Sequence, residues 1–335
     1  MTLTWLLLTL LGQPAAIGRN KQMRHIVIDC DPGHDDALAL MVALANTDAL
    51  SVLAVTTIGG NQTLAKVTAN ARHILGLLRS DVPLASGQEG PLVKALRCAP
   101  EAHGDSGMDG PALSGYDYPV ASTNAVVFLR DTIMSCSEPV TVVALGPLTN
   151  IALLLRTFPE VKSHIDMISL MGGGIDHGNS TALAEFNIYV DPEAAHIVYA
   201  SGLPIVMAGL DVTERAQITT DEIESLHGCG QVSEVAYELL RFYNESGHQL
   251  GFVNSPIHDL CAVAYLLDST LFVGERHHVD VVTDEGAARG LTFVDARPKP
   301  ASPDNALVLI DVDRARFVDR LREALTVLDT RIAGQ

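Results

Sequence analysis

Apolar residues fall in short runs between polar, glycine- or proline-bearing turns, and the runs alternate between a strand-like and a helix-like period. His25–Ile28 (HIVI) reads as a strand, passes through an acidic turn and continues as an alanine-rich apolar segment, Asp36–Asn46, that predicts a helix. The unit recurs. Val52–Ile58 is a buried strand before a helix over Leu64–Leu78, and Val140–Leu145 a strand before a helix over Leu148–Leu155. Ile168–Met171 and Ile205–Leu210 add strands, and Asp191-Pro192-Glu193 supplies an N-cap, an N1 proline and an early acid for a helix over Ala194–Ala200. Repeated βα units predict an α/β fold, a mostly parallel open sheet flanked by helices and Rossmann-like. Beyond about residue 212 the pattern predicts helices at Asp221–Leu226, Val232–Tyr243, Leu260–Leu267 and Ala315–Leu328, with short strands at Val279–Val282, Leu291–Val294 and Ala306–Val312. Gly87–Gly115 and Arg297–Asn305 read as loops, not boundaries, so residues 23–335 are expected to form a single domain with this C-terminal part inside it.

Composition narrows the class. Lys and Arg number 22 against 40 Asp and Glu, a net charge of −18 over 335 residues that are 47% hydrophobic. Such a chain folds, and its acidity argues against a polymeric nucleic-acid partner, which needs concentrated Lys and Arg. The five cysteines, with no C-x-x-C pair, read as free thiols of a reducing compartment, so the expected location is cytoplasmic. Leu3–Leu11 is apolar but far shorter than the roughly 20 residues of a membrane-spanning helix. Residues 1–22 are either a signal-like leader of a secreted protein, with Ala16-Ile17-Gly18 as cleavage site, or a weakly ordered extension or misassigned start ahead of Met23. No Lys or Arg precedes Arg19, which favours the extension.

The candidate chemistry sits in Asp29-Cys-Asp31-Pro-Gly-His-Asp35-Asp36, four carboxylates at the carboxyl end of the first strand. That edge is where open α/β sheets bind ligands, and the crowding calls for a hard cation such as Ca²⁺ or Mg²⁺. An EF-hand fails, because its twelfth position holds Leu40 or Val42 instead of a glutamate. Asp29-x-Asp31 is also the minimal signature of a Mg²⁺ phosphohydrolase of the haloacid-dehalogenase type, with an aspartyl nucleophile. Met171-Gly172-Gly173-Gly174 lets backbone approach a ligand, but no P-loop pattern accompanies it.

The acidic turn resembles the D-x-D-P-G-x-D-D fingerprint of the inosine-uridine-preferring nucleoside hydrolases. Further elements follow in that family's order: Gly60-Asn61-Gln62-Thr63, a His103-Gly104-Asp105-Ser106-Gly107 loop, Gly146-Pro147-Leu148-Thr149-Asn150, Glu185-Phe186-Asn187 through Asp191-Pro192-Glu193-Ala194, and His258-Asp259. The resemblance implies hydrolysis of the N-glycosidic bond of ribonucleosides at a bound Ca²⁺. It implies that Asp31, Asp36, Asp259 and the Leu145 carbonyl hold the ion, with Asp31 also the general base. It implies that Asp35, Asn61, Asn179, Glu185, Asn187, Met171 and Asp259 surround the ribose, while His258 protonates the leaving base and His103 faces it. Phe186 belongs to the same pocket. The segment Tyr243–Gly251 is expected as a flap over the base, with His34 an ordinary surface or core residue. Homodimers or homotetramers are implied as well. Two other classes stay open at this point: the phosphohydrolase, and a Ca²⁺-dependent ribose- or nucleoside-binding protein without turnover.

Overall fold

The computed structural model describes residues 23–334 except 114, 117, 250, 296 and 298–300. The segment 1–22 lies outside the described residues. The chain starts with β1 (Arg24–Cys30), α1 (His34–Ala45), β2 (Leu50–Thr57), α2 (Leu64–Leu77), β3 (Leu84–Ser86) and β4 (Val120–Ser122). It continues through α3 (Ala125–Ser135), β5 (Val140–Ala144), α4 (Thr149–Thr157), β6 (Ile165–Met171), α5 (Phe186–Val190), α6 (Pro192–Tyr199) and β7 (Ile205–Ala208). Then come α7 (Gln231–Gln249), α8 (Leu260–Leu267), β8 (Phe272–His277), β9 (Ala306–Val312) and α9 (Arg314–Ala333).

Nine strands form one sheet in the order β8-β9-β7-β6-β5-β1-β2-β3-β4. All neighbours are parallel except β8, which runs antiparallel to β9. The chain leaves β1 toward β2 on one side and returns at β5 on the other, so the crevice between them is a topological switch point. Strand alternation sends Ile26, Ile28 and Cys30 into one apolar layer and Val27 into the other, with Val140, Val142 and Ala144 of β5. Both faces are therefore covered, which is why β1 and β5 read as continuous apolar runs. All twelve residues of α1 are buried, and α8 and α9 pack against it. An alanine-rich sequence allows that crowding, because small side chains let neighbouring helices approach.

Most of the predicted elements appear within a few residues of their expected bounds. Among those not anticipated are β3 and β4, three residues each and too short to show a period, the exposed edge strand β8, and the helices α3 and α5. In the run Glu185-Phe186-Asn187, Glu185 is the N-cap of α5, accepting the amides of Asn187 and Ile188. Residues 243–249 of the expected flap are the last turns of α7, anchored where the Ser246 hydroxyl donates to the Ala102 carbonyl at 2.9 Å.

Candidate active site

The first β-to-α connection is shaped by its own aspartates. The amide of Gly33 donates to Asp36 Oδ2 at 3.0 Å and that of Asp31 to Asp36 Oδ1 at 3.2 Å, folding the turn around one carboxylate. Asn61, after β2, donates its amide to Asp31 Oδ2 at 2.7 Å and its side-chain NH₂ to the Asp31 carbonyl at 3.2 Å. The glycines around Asp31 are there for space: a Cβ at Gly60 would lie 2.1 Å from Asp31 Oδ2, and one at Gly146 2.3 Å from Oδ1. A cavity of about 450 Å³ opens above this floor.

Asp35, Asn61, His103, Leu145, Met171, Asn179, Glu185, Phe186, Asn187, His258 and Asp259 all line the cavity. Asp31 and Asp36 are fully buried beneath it. Asn187 donates its side-chain NH₂ to the Leu145 carbonyl at 2.8 Å and to Met171 Sδ at 3.3 Å. Asn179 Oδ1 accepts the Phe186 amide at 2.9 Å, and Glu185 Oε2 accepts the Gly173 amide at 2.9 Å. His258 Nδ1 lies 2.7 Å from the Thr213 hydroxyl. Other motif residues hold the scaffold: Asn150 donates to Asp29 Oδ1 at 2.8 Å, and Thr149 to Asp191 Oδ2 at 2.6 Å. Asp29, the first acid of the turn, is thus turned away from the cavity and spent on its neighbours Thr56 and Asn150.

Sequence reasoning missed part of the wall. Arg97, Glu101, Glu214 and Phe252 also line the cavity, and no motif marks them. His34, expected to be ordinary, stacks on His103, Phe242 and Tyr243 with centroids 5.1–5.4 Å apart. Its position inside the acidic fingerprint was the available signal.

Oxygens of Asp35, Asp36 and Asp259 lie within 4.8 Å of one another, and all three residues are buried. Burial first, and then mutual repulsion, pushes the carboxyls of Asp31 and Asp259 far above the usual range and that of Asp35 up to about 7. Asp31 Oδ1 is buried with no hydrogen-bond partner. An orphaned carboxylate oxygen beside an all-oxygen donor cluster fits a hard divalent cation, and Ca²⁺ is the ion such a set suits. A lysine or arginine does not neutralise it: among the described residues, none of these acids forms an ion pair.

The profile of the inosine-uridine preferring nucleoside hydrolases matches residues 26–319. The chain is 47% identical over 304 residues, 90% of this chain and 97% of the relative, to the pyrimidine-specific ribonucleoside hydrolase RihA of Escherichia coli O7:K1, and equally to that of Salmonella agona. Among solved structures it resembles a purine-preferring ribonucleoside hydrolase from Gardnerella vaginalis, with TM-score 0.86 and 29% identity over 92% of this chain and 100% of that one. A plant nucleoside hydrolase, PpNRh1, matches with TM-score 0.83 and 32% identity over 90% of this chain and 99% of that one. Cavity, acidic floor and likeness across nearly the whole length agree: the chain belongs to the inosine-uridine-preferring nucleoside hydrolase family, and its chemistry is hydrolysis of the N-glycosidic bond of nucleosides at a Ca²⁺-type aspartate site.

Proposed function

We propose that this enzyme prefers pyrimidine ribonucleosides, releasing uracil or cytosine and ribose. The preference rests on the relatives at 47% identity, which are pyrimidine-specific hydrolases. The site assignment is carried by one observation: Asp35 and Asp259 line the cavity, Asp36 brings an oxygen within 4.8 Å of theirs, and Asp31 Oδ1 is buried without a partner, with no ion pair to any of these acids among the described residues.

Asp31, Asp36, Asp259 and the Leu145 carbonyl would hold Ca²⁺, which when bound anchors vicinal ribose hydroxyls and lowers the pKa of water. Asp31 acts as general base: Asn61 fixes Oδ2 at 2.7 Å and leaves Oδ1 to take the proton of the attacking water. Asp35 and Asp259 receive the 2′- and 3′-hydroxyls, while Asn61, Met171, Asn179, Glu185 and Asn187 enclose the sugar. Their orientations are fixed by hydrogen bonds already made inside the protein, so little reorganisation is needed when positive charge develops on the ribose ring. Four carboxylates beneath that ring stabilise an oxocarbenium-like transition state more than the neutral substrate. His258, held at Nδ1 by Thr213, presents Nε2 to the departing base, and His103 and Phe186 wall the base site.

Residues 23–335 are read as one catalytic domain, a reading supported by a sheet that takes strands from Arg24 to Val312. The assembly we propose is a homodimer or homotetramer, as the family resemblance implies. A cytoplasmic location fits five cysteines that form no disulfide, and no described helix is long and apolar enough to cross a membrane. Steady-state ribose release from uridine, cytidine, inosine and adenosine tests the preference. Larger kcat/KM for the two pyrimidine nucleosides is expected; equal or larger values for inosine would overturn it.

A further inference from the structure

We propose that His34 is a positioning residue: it fixes the proton of His103 on Nδ1, so that His103 meets the nucleobase with a bare Nε2. The inference rests on the reading of this cavity as a base site and deepens it.

His34 is the first residue of α1, fully buried and absent from the cavity wall. Its Nε2 lies 2.8 Å from the Asp109 carbonyl. A carbonyl only accepts, so Nε2 carries the hydrogen, and a neutral imidazole then offers a lone pair at Nδ1. His103 Nδ1 stands 3.2 Å from that lone pair. Two ring nitrogens at this separation share one proton, and His34 has none to give there. His103 Nδ1 must therefore be the donor.

The ring planes are held as well. His34 stacks on Phe242 at 5.1 Å and 3°, on Tyr243 at 5.4 Å and 6°, and on His103 at 5.4 Å and 23°. Gly33 admits His103 this closely, because a Cβ there would stand 2.6 Å from His103 Nδ1. Asp109 carbonyl, His34 and His103 form one directed chain of hydrogen bonds that ends at the cavity. His103 lines that cavity, and its Nε2 makes no hydrogen bond among the described residues. The neutral ring is consequently an acceptor toward substrate, matched to a base edge that carries an N–H or NH₂ group. A ring nitrogen whose tautomer is set by the partner of the other nitrogen is a recurrent device of histidine sites.

Neutron diffraction from deuterium-exchanged crystals of the wild-type protein reads the protons directly. Deuterium is expected on His34 Nε2 and His103 Nδ1; deuterium on His34 Nδ1, or on His103 Nε2 alone, would overturn the proposal. Kinetics supply the second readout. His34→Asn returns an acceptor oxygen near the Nδ1 position and is expected to keep kcat for uridine near wild type. His34→Phe keeps the stacked ring without an acceptor, and is expected to lose about tenfold or more, the scale of a lost orienting partner. Equal kcat in the two folded variants contradicts the assignment. An enzyme that shows these proton positions but releases no ribose from any nucleoside would refute the functional reading and leave the tautomer lock standing.

Discussion

The crevice between β1 and β5 and the outer face around α9 both carry acidic side chains, and they neutralise them in opposite ways. On the outer face Glu222 receives Arg314 at 2.8 Å, and Asp268 receives Arg316 at 2.9 Å and Arg320 at 3.3 Å. Burial pushes the Glu222 carboxyl up, but hydrogen bonds from Arg314 and Thr219 outweigh it and hold the group at about 2. In the crevice Asp31, Asp35, Asp36 and Asp259 are buried without an ion pair among the described residues, and their carboxyls shift upward. The pairs outside contribute modestly to stability. The acids inside destabilise the fold unless a cation joins them, and that tension is what makes them a binding site.

Breaking the crevice is expected to have the largest effect, on turnover. Asp31→Asn keeps an isosteric side chain on Asn61 but removes the base, and kcat for uridine should fall by about 10³-fold or more, within the range of a lost general base. Turnover near wild type would remove Asp31 from that role. Wild type should rise in Tm with Ca²⁺, and Asp36→Asn should abolish that rise; saturating Ca²⁺ at about 100 times Kd adds about 2.7 kcal/mol to a protein that binds it only when folded. Without Ca²⁺ the same variant should be more stable than wild type by about 1 kcal/mol, because one of the crowded buried charges is gone. Equal denaturation midpoints of the two metal-free proteins would mean that the crevice is not strained.

Outside, Arg314→Gln should cost about 1 kcal/mol, as partly exposed pairs do, and leave kcat unchanged. Its pH dependence follows from Glu222, whose carboxyl is lower in the folded chain, at about 2, than its ordinary 4.5. The pair's stabilisation is complete above pH 4.5 and fades as pH falls toward 2, so wild type and variant should converge in acid denaturation curves. A gap that persists at pH 2 would show that Arg314 acts through packing instead.

Much of the fold could be read from alternation of apolar runs, because the central strands are buried on both faces and their neighbours are long helices. β3, β4 and β8 escaped because three-residue and edge strands owe their form to a partner and not to their own pattern. Asp31, Asp35 and Asp36 announced themselves by crowding, and Asn61, Glu185 and Asn187 only through resemblance, since a polar residue beside a glycine or a phenylalanine fits a turn equally well. Arg97, Glu214 and Phe252 were invisible, brought to the cavity by loops whose course no local pattern sets. Asp29 belongs to the same crowded turn, yet its carboxylate accepts from Thr56 and Asn150.

The most direct test of the crevice as a cation-dependent glycosidase site is ribose release from uridine by wild-type enzyme, before chelation, after it, and after Ca²⁺ is restored. Activity should vanish with the chelator and return with Ca²⁺, while Asp31→Asn stays inactive throughout. Full activity in the chelated enzyme, or no ribose from any nucleoside when Ca²⁺ is present, would contradict it.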